Sequence, residues 1–182
     1  MTEPLNPLAV RISTPARESF LSRGFYQLEE SSLYVPIGAG DRRRNYFSSL
    51  ESEHVRFDID RTGRLMFIEV IAARSTWVVS DNFELPVWAQ PADIRFLGFR
   101  TSIPDPRILT DETRQRLLLR FSSATPEQYV SLADNVILTV DGRGAITSVI
   151  VNDIVDDLAG REIARFRAGL RTEPPVSAIA QV

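Results

Sequence analysis

The chain of 182 residues contains no cysteine, no lysine and one histidine, His54. Without cysteine there are no disulfides, iron–sulfur clusters, thiolate zinc sites or cysteine nucleophiles, a composition that fits a reducing compartment. Without lysine, Schiff-base chemistry and a lysine-bearing phosphate loop are excluded, and all 21 basic side chains are arginine. No apolar run approaches the roughly eighteen residues of a membrane span and no charged-then-apolar leader opens the sequence, so the expectation is a cytoplasmic protein without a membrane partner. The net charge of −3 and the pI near 5.3 argue against nucleic acid as a partner, because its binders carry a basic surplus. A hydrophobic content of 43% is enough to build a core, which makes this a globular chain.

What is present is a repeated pattern. The stretch VRFDIDRTGRLMFIEVI begins at Val55, and VILTVDGRGAITSVIVN begins at Val136, an offset of 81 residues (136 − 55). At that offset Val55/Val136, Ile59/Val140, Asp60/Asp141, Gly63/Gly144, Leu65/Ile146, Ile68/Val149 and Val70/Val151 match in type without a gap. Each copy alternates apolar and polar residues, passes through Asp and Gly, and alternates again. This predicts antiparallel hairpins, Val55–Asp60 with Leu65–Ile71 and Val136–Val140 with Ile146–Val151. Gly63 and Gly144 supply a positive φ, and Asp60 and Asp141 bond the turn backbone, so all four are read as structural turn residues. Upstream, LYVPI (Leu33–Ile37) and LLLRF (Leu117–Phe121) supply a third strand to each copy. Pro36 lacks a donor and marks the first of these as an edge strand or a bulge. Two such units related by a pseudo-twofold would share one core.

The pattern LYVPIG followed by VRFDIDRTGRLMFIEVIAA resembles the small bacterial domain of unknown function DUF2283, a short strand followed by a V-D-x-x-G-x-hydrophobic-x-x-hydrophobic-E-hydrophobic hairpin. The first copy matches through Asp60, Gly63, Leu65, Ile68, Glu69 and Val70, and the second through Asp141, Gly144, Ile146, Val149 and Val151. Ile150 stands where the family has Glu. The resemblance covers about half of the chain as two tandem copies. It implies a small bacterial protein, in some members encoded beside a toxin-like partner, and brings no known activity.

Outside the copies, STPARESFLSRG (Ser13–Gly24) predicts a short helix capped by Thr14, opened by Pro15 and closed by Gly24. Between the copies, Thr76–Val79 and Ile94–Phe99 are candidate strands, interrupted by Pro86, Pro91, Pro104 and Pro106. Trp77, Trp88, Phe96 and Phe99 in this stretch are core or binding surface, with core favoured because large aromatics carry burial. After the second hairpin, Asp156 or Asp157 caps a predicted amphipathic helix with Ala159, Ile163, Phe166 and Leu170 on one face. Arg165, Arg167 and Arg171 near its end suit the helix dipole, and a tail with Pro174–Pro175 follows.

Three constellations carry potential chemistry. Asn152, Asp153, Asp156 and Asp157 offer oxygen ligands to Mg²⁺ or Ca²⁺, but lack a calcium-loop spacing, and a strand end with a helix cap explains them. His54 is followed by Asp58 and Asp60, yet no G-x-S-x-G turn supplies a nucleophile. The loop GAGDRRRN places Arg42, Arg43 and Arg44 together as an anion-binding candidate, without the G-K-[ST] of a phosphate loop.

The resulting expectation is a mainly β (α+β) protein in five segments. Residues 1–30 are an N-terminal segment with a short helix, 31–80 the first β unit, 81–112 an aromatic and proline-rich connector, 113–171 the second β unit with the C-terminal helix, and 172–182 a tail. The expected function is a non-enzymatic interaction module that binds a protein partner, with homo-oligomerisation open, no cofactor and no catalytic residue. The sheet edge at Pro36 and the mid-chain aromatics are the expected contacts. The alternatives are a carboxylate or metal-dependent enzyme using Asp153, Asp156 and Asp157, and an anion or RNA binder using Arg42–Arg44.

Overall fold

The computed structural model describes residues 4–16, 22–37, 46–81, 83, 85–99 and 101–157. In the first half the strands are β1 (Val10–Ser13), β2 (Gly24–Gln27), β3 (Ser32–Pro36), β4 (Tyr46–Glu51), β5 (Val55–Asp60), β6 (Leu65–Val70) and, after a 3-10 turn at Arg74–Thr76, β7 (Val78–Val79). The second half contains β8 (Gln90–Pro91), β9 (Asp93–Phe96), β10 (Arg107–Thr110), β11 (Leu117–Arg120), β12 (Gln128–Ala133), β13 (Val136–Val140), β14 (Ile146–Val151) and β15 (Ile154–Asp156). They form a six-stranded sheet β15-β2-β3-β6-β5-β4, a seven-stranded sheet β7-β10-β11-β14-β13-β12-β8, and a two-stranded ribbon β1-β9.

Both predicted hairpins are present, antiparallel and in the same register. Each also has the same irregularity. Asp58 faces Phe67 while Ile59 faces Leu65, which leaves Met66 as the extra residue; Thr139 faces Ser148 while Val140 faces Ile146, which leaves Thr147. An extra residue at one position twists both hairpins alike. The third strands also agree, since Leu33 pairs with Val70 as Leu117 pairs with Val151.

The duplication extends beyond these units. Strand β2 flanks β3 as β10 flanks β11, and β4 flanks β5 as β12 flanks β13, so five strands in each half follow one order. The strand that follows each hairpin then crosses to the other half: β7 pairs in parallel with β10, and β15 pairs in parallel with β2. The ribbon joins the two turns. The Val10 amide donates to the Gly144 carbonyl at 2.9 Å and the Phe96 amide to the Gly63 carbonyl at 2.8 Å, while Val10 and Phe96 pair with each other. These exchanges give the molecule a pseudo-twofold through the β1-β9 ribbon.

One apolar core runs through both halves. It takes Val35, Phe57, Ile59 and Ile68 from the first, and Leu119, Leu138, Val140 and Val149 from the second. Phe57 packs on Phe96 and Phe121, with ring centroids at 5.7 and 5.9 Å. Burying each such side chain contributes about 1.5–3 kcal/mol, and both halves supply side chains to the one cluster.

Three expectations need correction. Strand β3 lies inside its sheet, between β2 and β6, and is not an edge. Pro36 is tolerated there because β2 begins at Gly24 and pairs only as far as Phe25 with Tyr34, and the Ile37 amide turns to the Met66 carbonyl on the opposite side. The predicted N-terminal helix is not seen: Ser13 ends β1, Thr14 and Pro15 form a bend, and Gly24 opens β2, with residues 17–21 outside the described part. Gly24 serves packing instead of a helix stop, since a Cβ there would lie 3.1 Å from the Ile154 side chain of β15. Asp156 belongs to β15 and caps no described helix; the predicted helix from Leu158 onwards lies outside the described residues. Among the described residues no helix is long and apolar enough to cross a membrane.

Candidate functional site

The four turn residues form two matching loops. Asp60 Oδ1 accepts from the Thr62 and Arg64 amides at 2.8 and 3.0 Å, and Asp141 Oδ1 accepts from the Arg143 and Ala145 amides at 2.9 and 3.0 Å. Gly63 and Gly144 have φ of +84° and +80°, the left-handed region that costs other residues about 1–2 kcal/mol. In both carboxylates Oδ1 holds the turn backbone.

The aspartates after the second hairpin do not gather. Asp153 sits at φ +55° in the tight link between β14 and β15, the Asp156 carboxylate takes Arg74 at 2.7 Å, and the buried Asp157 gives its amide to the Tyr26 carbonyl at 2.9 Å. They belong to the seam where the exchanged strands meet. A cavity of about 600 Å³ opens there, lined by Tyr26, Leu28, Arg74, Arg114 and Asp156. Its cations have internal partners, because the Arg74 guanidinium lies 4.4 Å from the Tyr26 ring centroid and Arg114 donates to the carbonyls of Arg74 and Trp77. Arg42, Arg43 and Arg44 lie outside the described residues.

A different group converges at the outer edge of the first sheet. The β4–β5 turn carries Glu53 and His54, and the connector brings Asp105 against them, with donor atoms of all three within 4.8 Å of one another. His54 Nδ1 lies 2.7 Å from Asp105 Oδ2, while Asp105 Oδ1 accepts from Ser52 Oγ at 2.8 Å and from the His54 amide at 3.0 Å. The hydrogen bond to Asp105, with the negative charges of Asp105 and Glu53, raises the His54 pKa above its ordinary 6.5 despite slight desolvation. Partial burial pushes the Asp105 carboxyl upwards, but the hydrogen bonds from His54 and Ser52 outweigh it and hold the group below the usual range. A metal ion entering this group would have to displace the proton shared by His54 and Asp105. Asp58, which the sequence places beside His54, is instead bonded by Arg56 at 2.7 Å and Ser49 at 3.1 Å.

No family model matches the chain, and no curated protein matches its sequence.

The mid-chain aromatics divide evenly. Trp77 and Phe96 are core, each 2% exposed, whereas Trp88 is 69% and Phe99 41% exposed. Phe99 meets Phe47 of β4 edge to face, at 5.8 Å between centroids, and the Arg61 guanidinium lies 5.7 Å from the Phe47 ring centroid. Phe47 lies on the edge strand of the first sheet and Phe99 on the connector between β9 and β10. Of the described residues, only Ser102 bridges β4 on its outer side, at Glu51, and Ser49 presents its backbone in the same direction because strand groups alternate. Sequence reasoning missed Phe47 and Asp105. Asp105 had a signal, an acid fixed between Pro104 and Pro106, but its partner His54 is 51 residues away.

Proposed function

We propose that the protein is a non-enzymatic interaction module that holds an extended segment of a partner protein along the outer edge of its first sheet. The observation that carries this is the exposed, edge-to-face Phe47–Phe99 pair beside the outward-facing backbone of β4. An edge strand offers amides and carbonyls to a partner strand, and an aromatic pair already fixed in place offers apolar contact at little cost in ordering. Arg61 over Phe47 adds a cation, so the fitting segment carries an apolar side chain and an acidic one near it. On this reading the chain is a fused pair of DUF2283-like units of bacterial origin working in the cytoplasm. Glu53, His54 and Asp105 are the observation that favours a second reading, a metal-assisted activity.

The test compares the native protein with a Phe47→Ser/Phe99→Ser variant in affinity capture followed by mass spectrometry. A partner retained by the first and lost by the second, with melting temperatures within about 4 °C of each other, is the expected result. Identical sets of captured proteins would overturn the proposal.

A further inference from the structure

The connector that carries Phe99 meets the end of β4 and then the turn that follows it. The Glu51 amide donates to the Thr101 carbonyl at 3.2 Å and the Ile103 amide to the Glu51 carbonyl at 2.9 Å. Further along, Asp105 stands between Pro104 and Pro106, which restrict its backbone, while Ile103 and Pro106 are buried. Asp105 Oδ1 accepts from the Ser52 hydroxyl and the His54 amide, which keeps Oδ2 toward the His54 imidazole. A carboxylate oriented in this way is what a metal site needs from its surroundings. The Glu53 carboxylate is exposed on the same turn as His54 and takes no part in this clasp, yet its oxygen lies within 4.8 Å of the other two ligand atoms. Among the described residues no other three such side chains gather so closely.

We infer that Glu53, His54 and Asp105 bind a divalent transition-metal ion of the zinc class, and that the ion staples the connector to the β4–β5 turn. Zinc holds imidazole nitrogen and carboxylate oxygen at about 2.0–2.2 Å in a tetrahedron, which sets its ligand atoms roughly 3.3–3.6 Å apart. His54 Nδ1 and Asp105 Oδ2 stand 2.7 Å apart across a shared proton. They separate by roughly 0.6–0.9 Å when the ion replaces that proton, which passes to solvent. Glu53 closes in by turning its own exposed side chain, and water takes the fourth position. One imidazole beside two carboxylates favours zinc over Mg²⁺ or Ca²⁺, which take oxygen ligands. The ion ties together residues 51 apart in the sequence and performs no reaction, which separates this role from the metal-assisted activity considered above. If the edge binds a partner as proposed above, zinc strengthens that binding by holding Phe99 against Phe47.

The staple is tested on the isolated protein, so its failure is distinct from failure of the binding reading. Chelator-stripped protein is titrated with ZnCl₂ by calorimetry, and one ion per chain is expected. At free zinc about tenfold above the dissociation constant, the melting temperature rises by about 3–6 °C, and MgCl₂ leaves it unchanged. Amide protection at Glu51 and Ile103 increases up to about 10-fold under the same conditions, because opening the connector forfeits the ion. Ala92, whose amide bonds the Ser131 carbonyl at the edge of the other sheet, is the control and stays constant. His54→Ala abolishes zinc binding. Glu53→Gln leaves the clasp intact, melts within about 2 °C of the native protein in the absence of zinc, and binds zinc at least about 10-fold more weakly. Zinc bound as tightly by Glu53→Gln as by the native protein would mean a lone surface imidazole and would overturn the site. Protection at Ile103 that zinc does not change would overturn the staple.

Discussion

The two halves of the molecule repeat a strand order, a hairpin register and a bulge, yet they fill the same positions differently. Phe57 in the first half stands where Leu138 stands in the second (138 − 57 = 81), and both are fully buried in the common core. Gly63 presses against Phe96 of the ribbon, whereas Gly144 leaves room before Val10. The connector meets the first edge at Glu51, beside the His54–Asp105 clasp, whereas a short parallel strand lies along the second. What is kept is what the backbone requires for one shared core, and what differs lies where side chains meet the connector.

The comparison breaks most strongly in the core. Phe57→Ala is expected to cost about 3–5 kcal/mol and Leu138→Ala about 2–5 kcal/mol, each shifting a single unfolding transition. Strand exchange demands this, because neither half keeps its full sheet when the other unfolds. Two separate transitions in denaturant, one per half, would show that the halves are independent.

The next effect separates the two turns. Gly63→Ala meets both the left-handed penalty and the Phe96 carbonyl, for a loss of roughly 2–5 kcal/mol, while Gly144→Ala meets the penalty alone, roughly 1–2 kcal/mol, with Val10 oxygen 3.6 Å from the new Cβ. Chemical denaturation of the pair measures the difference. Equal losses would mean that the ribbon yields at Phe96 as easily as at Val10.

These same positions show how much of the molecule was legible. The hairpins could be read because alternation and the Asp and Gly positions survive at one offset. Outside them the offset drifts, from 84 at Leu33 and Leu117 (117 − 33) to 80 at Leu50 and Val130 (130 − 50), so the flanking strands do not align without gaps. Strands β7 and β15 have two and three residues, too few for a period, and their exchange is decided by tertiary packing. Gly24 reads locally as a helix stop, and only the presence of β15 beside it reveals another need. The exposed aromatic pair joins an edge strand to a connector, and the clasp joins His54 to Asp105; neither has a local signature.

The smallest predicted effect is the pH dependence of the clasp, and it belongs to the first half alone. His54 has a raised folded pKa, so its contribution is present in full below the unfolded value of 6.5 and is lost as pH rises through the folded value. Asp105 has a lowered folded pKa, so its contribution is present above the unfolded value of 3.8 and is lost as pH falls through the folded value. Between these limits both contribute, and the stability of the native protein relative to an Asp105→Asn variant is expected to be greatest there. The two side chains are 39% and 38% exposed, so solvent screens the pair and the maximum is shallow. Thermal melts of both proteins at pH 3, 5.5 and 8.5 measure it. A stability difference that is the same at all three would show that the pair holds the connector by shape and not by charge.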